Sequence, residues 1–194
     1  MLFRSYARYA LESQGKRLRP ALVALAAGSV GQLGDGQVTI AVIIEMIHLA
    51  TLVHDDIMDQ AILRRRRPTL SSSVGNDVAV LLGDCLFARA LELAAGFPTT
   101  DVCRSVAAST KTVCTGEILQ THRRRRWNLS RADYFQVLEM KTAELFALAC
   151  ELGGADAGAN PAQRSALRRF GMDLGIAYQI YDDCLDLYGV EGEA

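Results

Sequence analysis

Residues 45–59 read Glu45-Met-Ile-His-Leu-Ala-Thr-Leu-Val-His-Asp-Asp-Ile-Met-Asp59, an apolar run that ends in three acids. A second run, Ile176-Ala-Tyr-Gln-Ile-Tyr-Asp-Asp-Cys-Leu-Asp-Leu187, repeats the arrangement near the other end of the chain. Residues three and four apart share a helix face, so the first and last acids of each Asp-Asp-x-x-Asp point the same way and the middle one flanks them. Leu52, Val53, Ile57, Ile180 and Leu185 surround the acids with side chains that would otherwise pack. Carboxylates crowded into an apolar groove repel one another and are costly without cations. Asp55, Asp56 and Asp59, with Asp182, Asp183 and Asp186, are therefore read as ligands for several hard divalent ions. Magnesium suits them, because it takes a few carboxylates and leaves its other positions to water and phosphate oxygens.

Outward from these two runs, nearly every segment keeps a helical period and no convincing alternating strand is present. A short helix is expected over Leu2–Ser13, and a second from Pro20, which suits an opening turn, to Val30. Gly28–Gly36 reads as a loop, and its glycines follow no strand, so it is not a dinucleotide fingerprint. A long helix over Val38–Asp59 leads into an Arg-rich turn ending at Pro68. Further helices are expected over Asp77–Ala94, from Thr99 or Thr100 to Thr121, from the Ser130-x-x-Asp133 capping box to Gly153–Gly154, and from the Asn160-Pro161 start to Leu187. The reading is an all-α bundle of about seven or eight helices, residues 1–194 forming a single domain with no linker inside it.

At 194 residues the chain can bury a sizeable core; 50% of it is hydrophobic and 22% charged. The net charge of −1 gives no nucleic-acid or membrane signal. Five cysteines (Cys85, Cys103, Cys114, Cys150, Cys184) show no paired spacing and read as buried free thiols of a reducing cytosol. Three histidines without metal-ligand spacing do not make a zinc site. No signal peptide is expected, and the longest apolar runs are interrupted by Glu45, His48 or Asp84, so no membrane span is expected either.

The charges are patterned. Lys16, Arg17 and Arg19 precede or open a helix, where cations oppose the dipole, so an anionic ligand explains them better than solvent does. His48 alone would pass for a core histidine, but it lies one heptad before Asp55 on nearly the same face. The runs Arg64–Arg67 and Arg123–Arg126 stand apart; the second reads as a solvated interhelical loop.

Taken in order, Gly15-Lys-Arg-Leu-Arg-Pro20, the Glu45–Asp59 run, Leu63-Arg-Arg65 with Pro68-Thr69, Gly116-Glu-Ile-Leu-Gln120, Lys141-Thr-Ala143 and Tyr178–Asp186 resemble the trans-isoprenyl diphosphate synthase family, and most nearly its octaprenyl-like polyprenyl branch. The resemblance covers nearly the whole chain. It implies an isoprenoid synthase-type helical bundle around a central cavity. It also implies a cytoplasmic enzyme, commonly a homodimer, that condenses an allylic prenyl diphosphate with isopentenyl diphosphate. Both triplets would hold magnesium, about three ions with substrate bound. Lys16, Arg19, His48 and Arg65 match the isopentenyl diphosphate pocket. Arg64, Lys141, Thr142 and Gln179 match the allylic diphosphate site, with Lys141 counted among the catalytic residues beside the six aspartates. Glu117 and Gln120 are expected behind these groups, His54 in a structural role or behind the acids, and Asp84 as a structural or substrate-neighbouring polar group.

One turn back from Asp55 lie Thr51 and Ala50, about 6–7.5 Å along the helix. Short-chain members often carry an aromatic there, so two small residues imply an open tunnel floor and a product longer than C20. Ile47, Ile44 and Ile43 are expected to continue the tunnel wall. The alternatives are a farnesyl or geranylgeranyl diphosphate synthase and a non-catalytic partner subunit of a synthase. A class I terpene cyclase would not need Lys16, Arg19 and His48. Two departures stand out: Arg66 occupies a position where the family usually has glycine, and the family continues past the second triplet with a lid and more helices. The chain is accordingly expected to lack a C-terminal part, and its beginning also looks short.

Overall fold

The computed structural model describes residues 2–11, 15–124 and 128–189. Its elements, in chain order, are α1 (Leu2–Leu11), α2 (Leu18–Gly28), α3 (Asp35–Met58), β1 (Leu63–Arg64), β2 (Arg67–Pro68), α4 (Leu70–Val74), α5 (Asn76–Ala95), α6 (Asp101–Arg123), α7 (Arg131–Val137), a π-helical segment (Leu138–Ala143), α8 (Glu144–Asp156) and α9 (Pro161–Tyr188). The fold is all-α, as the periodicity predicts. Two helices start where their caps place them. Ser130 Oγ accepts from Asp133 N at 3.1 Å, and Asn160 Oδ1 accepts from Gln163 N at 3.0 Å with Pro161 at the first helical position.

α8 is the axis of the bundle. Ten of its residues, Glu144–Cys150 and Leu152–Gly154, are buried, and a helix buried all round belongs in a core. It packs against α2, α3, α6 and α9. Phe146, Leu145 and Leu148 from α8 meet Ile40, Ile43, Ile44 and Ile47 of α3, Val23 of α2 and Val106 of α6. Each such side chain, fully removed from water, contributes about 1.5–3 kcal/mol. α9 can lie close because Gly175 faces Ala143, where a β-carbon would stand 2.5 Å from the Ala143 Cα. A second cluster, with Leu49, Ala50 and Val53 of α3 and Leu82 and Leu86 of α5, closes the other side of α3.

α3 is long and apolar enough to cross a membrane by length and composition alone, but its isoleucines are covered by α2, α5 and α8, as in the central helix of a bundle.

Four expectations need correction. α3 begins at Asp35, so Gly36 is helical and the loop ends at Gly34. The Arg-rich turn is a hairpin: Leu63 pairs with Pro68 and Arg64 with Arg67. Its two-residue loop, Arg65 and Arg66, has φ of 50° and 63°, the left-handed pair that twisted strands favour. The helix expected over 130–154 is interrupted by the π-helical segment. Only Cys150 is a buried thiol; Cys85, Cys114 and Cys184 are exposed, Cys114 on the wall of the cavity described below, and Cys103 is half-buried against the core. Ser13, expected at the end of α1, lies outside the described residues.

Candidate active site

One cavity of about 2340 Å³ runs alongside α3. Ligand pockets usually hold about 300–1,000 Å³, so this one has room for more than one small substrate. Asp55 at the end of α3 and Asp182 on α9 both line it, as do Lys16, Arg19, His48, Thr51, Arg64, Arg65, Lys141, Thr142 and Gln179. Two runs more than a hundred residues apart thus reach one space.

The acids are not equivalent. Asp55 is held 3.6 Å from Lys141 Nζ, and the same ammonium pairs closely with Glu117. Burial pushes the Asp55 carboxyl up from 3.8 to about 6; Lys141 opposes the shift, while Glu117 and Asp59 add to it. Asp56 is buried and turned aside, accepting from Arg64 Nε at 2.8 Å. Asp59 closes the end of α3 and pairs with Arg124. Asp183 accepts from Tyr134 Oη at 2.5 Å and from Gln179 Nε2 at 2.8 Å. Asp186 is exposed. Among the described residues, no three His, Cys, Asp or Glu side chains converge as a ready-made metal site. The donor set nonetheless fits a hard divalent ion. It is all carboxylate oxygen, and Asp55 is raised because Lys141 alone does not offset its burial.

Lys141 reaches Asp55 from the π-helical segment, whose wider turn takes in an extra residue and re-aims the side chains beyond it. Gly116 on α6 makes room for that turn. A β-carbon there would stand 2.8 Å from the Lys141 backbone nitrogen and 2.8 Å from Met140 Cβ. Thr142 Oγ1 donates to Gln179 Oε1 at 3.0 Å, so Thr142, Gln179, Asp183 and Tyr134 form one hydrogen-bonded row.

The cationic end of the cavity is built on α2 and the hairpin. Arg19 Nε is buried without a hydrogen-bond partner, and its guanidinium lies 4.5 Å from the centre of the Phe146 ring. Burial brings its pKa down to about 10, against the pull of Glu45 and Tyr178. Lys16 Nζ stands 5.9 Å from the Tyr178 ring centre. His48 is held well below its ordinary pKa, first by burial and then by Arg19, Arg65 and Arg64, which keeps the ring neutral. A neutral ring among guanidiniums can share a ligand oxygen without adding charge.

The tunnel residues divide. Thr51 lines the cavity. Ala50 and Ile47 do not; both are buried in the two core clusters, and Ile43 and Ile44 are buried with them. A helix turns about 100° per residue, so the fourth residue back from Asp55 shares its face and the fifth does not. Ala41, Val42, Met46 and Leu49 of α3 line the cavity instead, with Leu86 and Phe87 of α5.

Some contacts carry no advance signal in the sequence. Tyr134 is marked by nothing beyond its place in the first turns after a cap. Arg124 belongs to a charge run read as solvated, yet it reaches the first triplet. Arg125 and Arg126 lie outside the described residues. His54 sits where a structural role expects it, 3.1 Å from Val80 O, with its ring 5.8 Å from Phe87.

A family model for polyprenyl synthetase matches residues 1–194. Octaprenyl diphosphate synthase of Escherichia coli is 37% identical over 185 residues, which are 95% of this chain and 57% of that protein. Geranylgeranyl diphosphate synthase of Methanosarcina mazei is 36% identical over 189 residues, covering 95% of this chain and 58% of the relative. The chain therefore spans a little over half the length of these relatives. A crystal structure of a Caulobacter crescentus polyprenyl synthase, complexed with calcium and isoprenyl diphosphate, superposes with a TM-score of 0.91 at 40% identity, over 94% of this chain and 56% of that one.

Proposed function

Because the chain belongs to the polyprenyl synthetase family, we propose that it works as a trans-prenyltransferase, joining an allylic prenyl diphosphate to isopentenyl diphosphate. The observation that carries this is a single cavity with three regions. It has an acidic edge at Asp55 and Asp182, a cationic end at Lys16, Arg19, His48 and Arg65, and an apolar flank from Ala41 to Leu49. Two anions and a hydrocarbon tail need those surfaces.

In this reading the two triplets, Asp55, Asp56 and Asp59 with Asp182, Asp183 and Asp186, would hold about three magnesium ions. When bound, the ions supply charge neutralisation of a departing diphosphate. The calcium and isoprenyl diphosphate bound by the Caulobacter relative support that pairing. Lys141 and Arg64 donate to the allylic diphosphate, with Thr142 and Gln179 beside them. As its C–O bond breaks, the electron pair leaves with the diphosphate. Lys16, Arg19, His48 and Arg65 hold isopentenyl diphosphate so that its double bond faces the allylic carbon. A carbon–carbon bond forms, and the proton lost passes to the released diphosphate. Arginine suits these anions because its planar fork donates two parallel hydrogen bonds.

We infer a product longer than C20, because Thr51 is small where the cavity passes α3 and the wall beyond it is apolar. A C20 product is the alternative, since an octaprenyl and a geranylgeranyl synthase are almost equally similar. The cytoplasm and a homodimer, usual in the family, belong to the same proposal. The test is incubation of the chain with magnesium, isopentenyl diphosphate and farnesyl or geranylgeranyl diphosphate, with products read by mass spectrometry. Elongation past C20, abolished in Asp55→Asn, is expected. No elongation from either primer overturns the proposal.

A further inference from the structure

The second arginine run is a sequence feature that the proposed chemistry leaves unused. In the fold its first two members divide: Arg123 binds α7 and Arg124 reaches the first triplet. Arg123 is anchored on α7: Nη2 lies 2.7 Å from Asp133 Oδ1, and Nη1 donates to Asp133 O at 3.2 Å. Arg124 turns the other way. It donates to Met58 O at 3.4 Å, where the last turn of α3 leaves a carbonyl unpaired, and it pairs closely with the Asp59 carboxylate. The corner is fastened on its far side by Tyr134, whose hydroxyl donates to Asp183 of the second triplet.

Asp59 thus has a resident cation supplied by the chain. An arginine planted across a helix end and a carboxylate neutralises one acid of a crowded pair, since Asp59 is among the groups that raise Asp55. A divalent ion that uses Asp59 must first displace that guanidinium. We propose that Arg124 is a built-in competitor for the first triplet: it occupies Asp59 in the metal-free chain and sets how much divalent ion is needed to load the site. This rests on reading the triplets as metal ligands. Both side chains are partly exposed, and exposed ion pairs are modest, so the expected effect is a tuning of affinity and not an on–off block.

The test reads metal directly. Manganese binding to the chain, without substrate, is followed by the electron paramagnetic resonance signal of free Mn2+. Arg124→Gln is expected to bind about threefold to fivefold tighter than the unaltered chain, and Arg124→Lys, which keeps a charge but not the fork, to fall between. In an Asp59→Asn background, Arg124→Gln is expected to change nothing. Raising salt is expected to narrow the gap, because it screens the exposed pair. Circular dichroism checks that each variant is folded; if Arg124→Gln is not, Arg124→Lys carries the comparison. Unchanged or weaker binding in the Arg124 variants overturns the competitor while leaving the metal site standing, provided Asp55→Asn and Asp182→Asn reduce binding. If neither reduces it, or if no chain binds manganese, the metal reading itself falls and the competitor with it.

Discussion

At the scale of single residues, the site is under electrostatic tension that pH can measure. Asp55 has its pKa raised from 3.8 to about 6 in the metal-free fold. Between those values the folded chain holds a proton that the unfolded chain has lost, so this group's contribution to stability falls as pH rises through the window. Above about pH 6 the deficit is complete. Its size is about 1–3 kcal/mol, since each tenfold change in proton affinity is worth about 1.4 kcal/mol. Asp55→Asn should therefore stabilise the metal-free chain against urea at pH 7 and change little near pH 4. An equal effect at both values would show that the carboxylate is not strained. Arg66 carries a different tension. It holds φ of 63° in the hairpin loop, where a side chain costs about 1–2 kcal/mol and glycine nothing. Glycine loses more freedom on folding, by about 0.5–1 kcal/mol. The net expectation is that Arg66→Gly raises the unfolding free energy from urea titration by up to about 1 kcal/mol, and a fall would mean that the Arg66 side chain makes contacts outweighing the loop strain. The residue was legible as a departure from the family's glycine, but the hairpin around it was not. Two arginines look nothing like the Asn-Gly that usually marks such a turn.

At the scale of elements, the helices were legible because their start signals are local. Ser130 and Asn160 cap where their spacing says, and the helical period of apolar residues places α3, α5, α9 and the end of α8 within a few residues. The π-helical segment was not legible, since one extra residue per turn leaves no mark in composition. Yet it decides where Lys141 stands. Its seat is Gly116, and the neighbours there are backbone and Cβ atoms that cannot swing away. Gly116→Ala should therefore lose about 1–3 kcal/mol of stability, although alanine is the better helix former by about 1 kcal/mol. In a turnover assay the same change should raise KM for the allylic substrate more than KM for isopentenyl diphosphate, because the displaced segment carries Lys141 and Thr142 and not Lys16 or Arg19. Gly28→Ala is the control: nothing stands within 4 Å of the added β-carbon. A loss shared equally by both substrates would reduce Gly116 to a packing residue.

At the scale of the whole molecule, the question is which side of α3 a growing chain would follow. Ile43 and Ile47 pack into the first core cluster, and Ala50 into the second, on the other side of α3. The cavity passes Thr51, Met46 and Leu49 and does not reach Ala50. Counting back from Asp55 finds the right turn but merges its two sides, because a whole turn is less than four residues and the fifth belongs to another face. The distinction has different outcomes for one aromatic side chain. Thr51→Phe puts a ring into the cavity without touching the core, so the fold should keep its melting temperature and the product distribution should shift to shorter chains. Ala50→Phe forces a ring into a site with no exposed surface, against Leu82 and Leu86 on α5. Overpacking of that kind costs about 1–3 kcal/mol, so its first effect should be on stability. Thermal melting and mass spectrometry of products separate the two. If Ala50→Phe shortens products at unchanged stability while Thr51→Phe leaves them long, the hydrocarbon runs through space that the second cluster fills in this conformation.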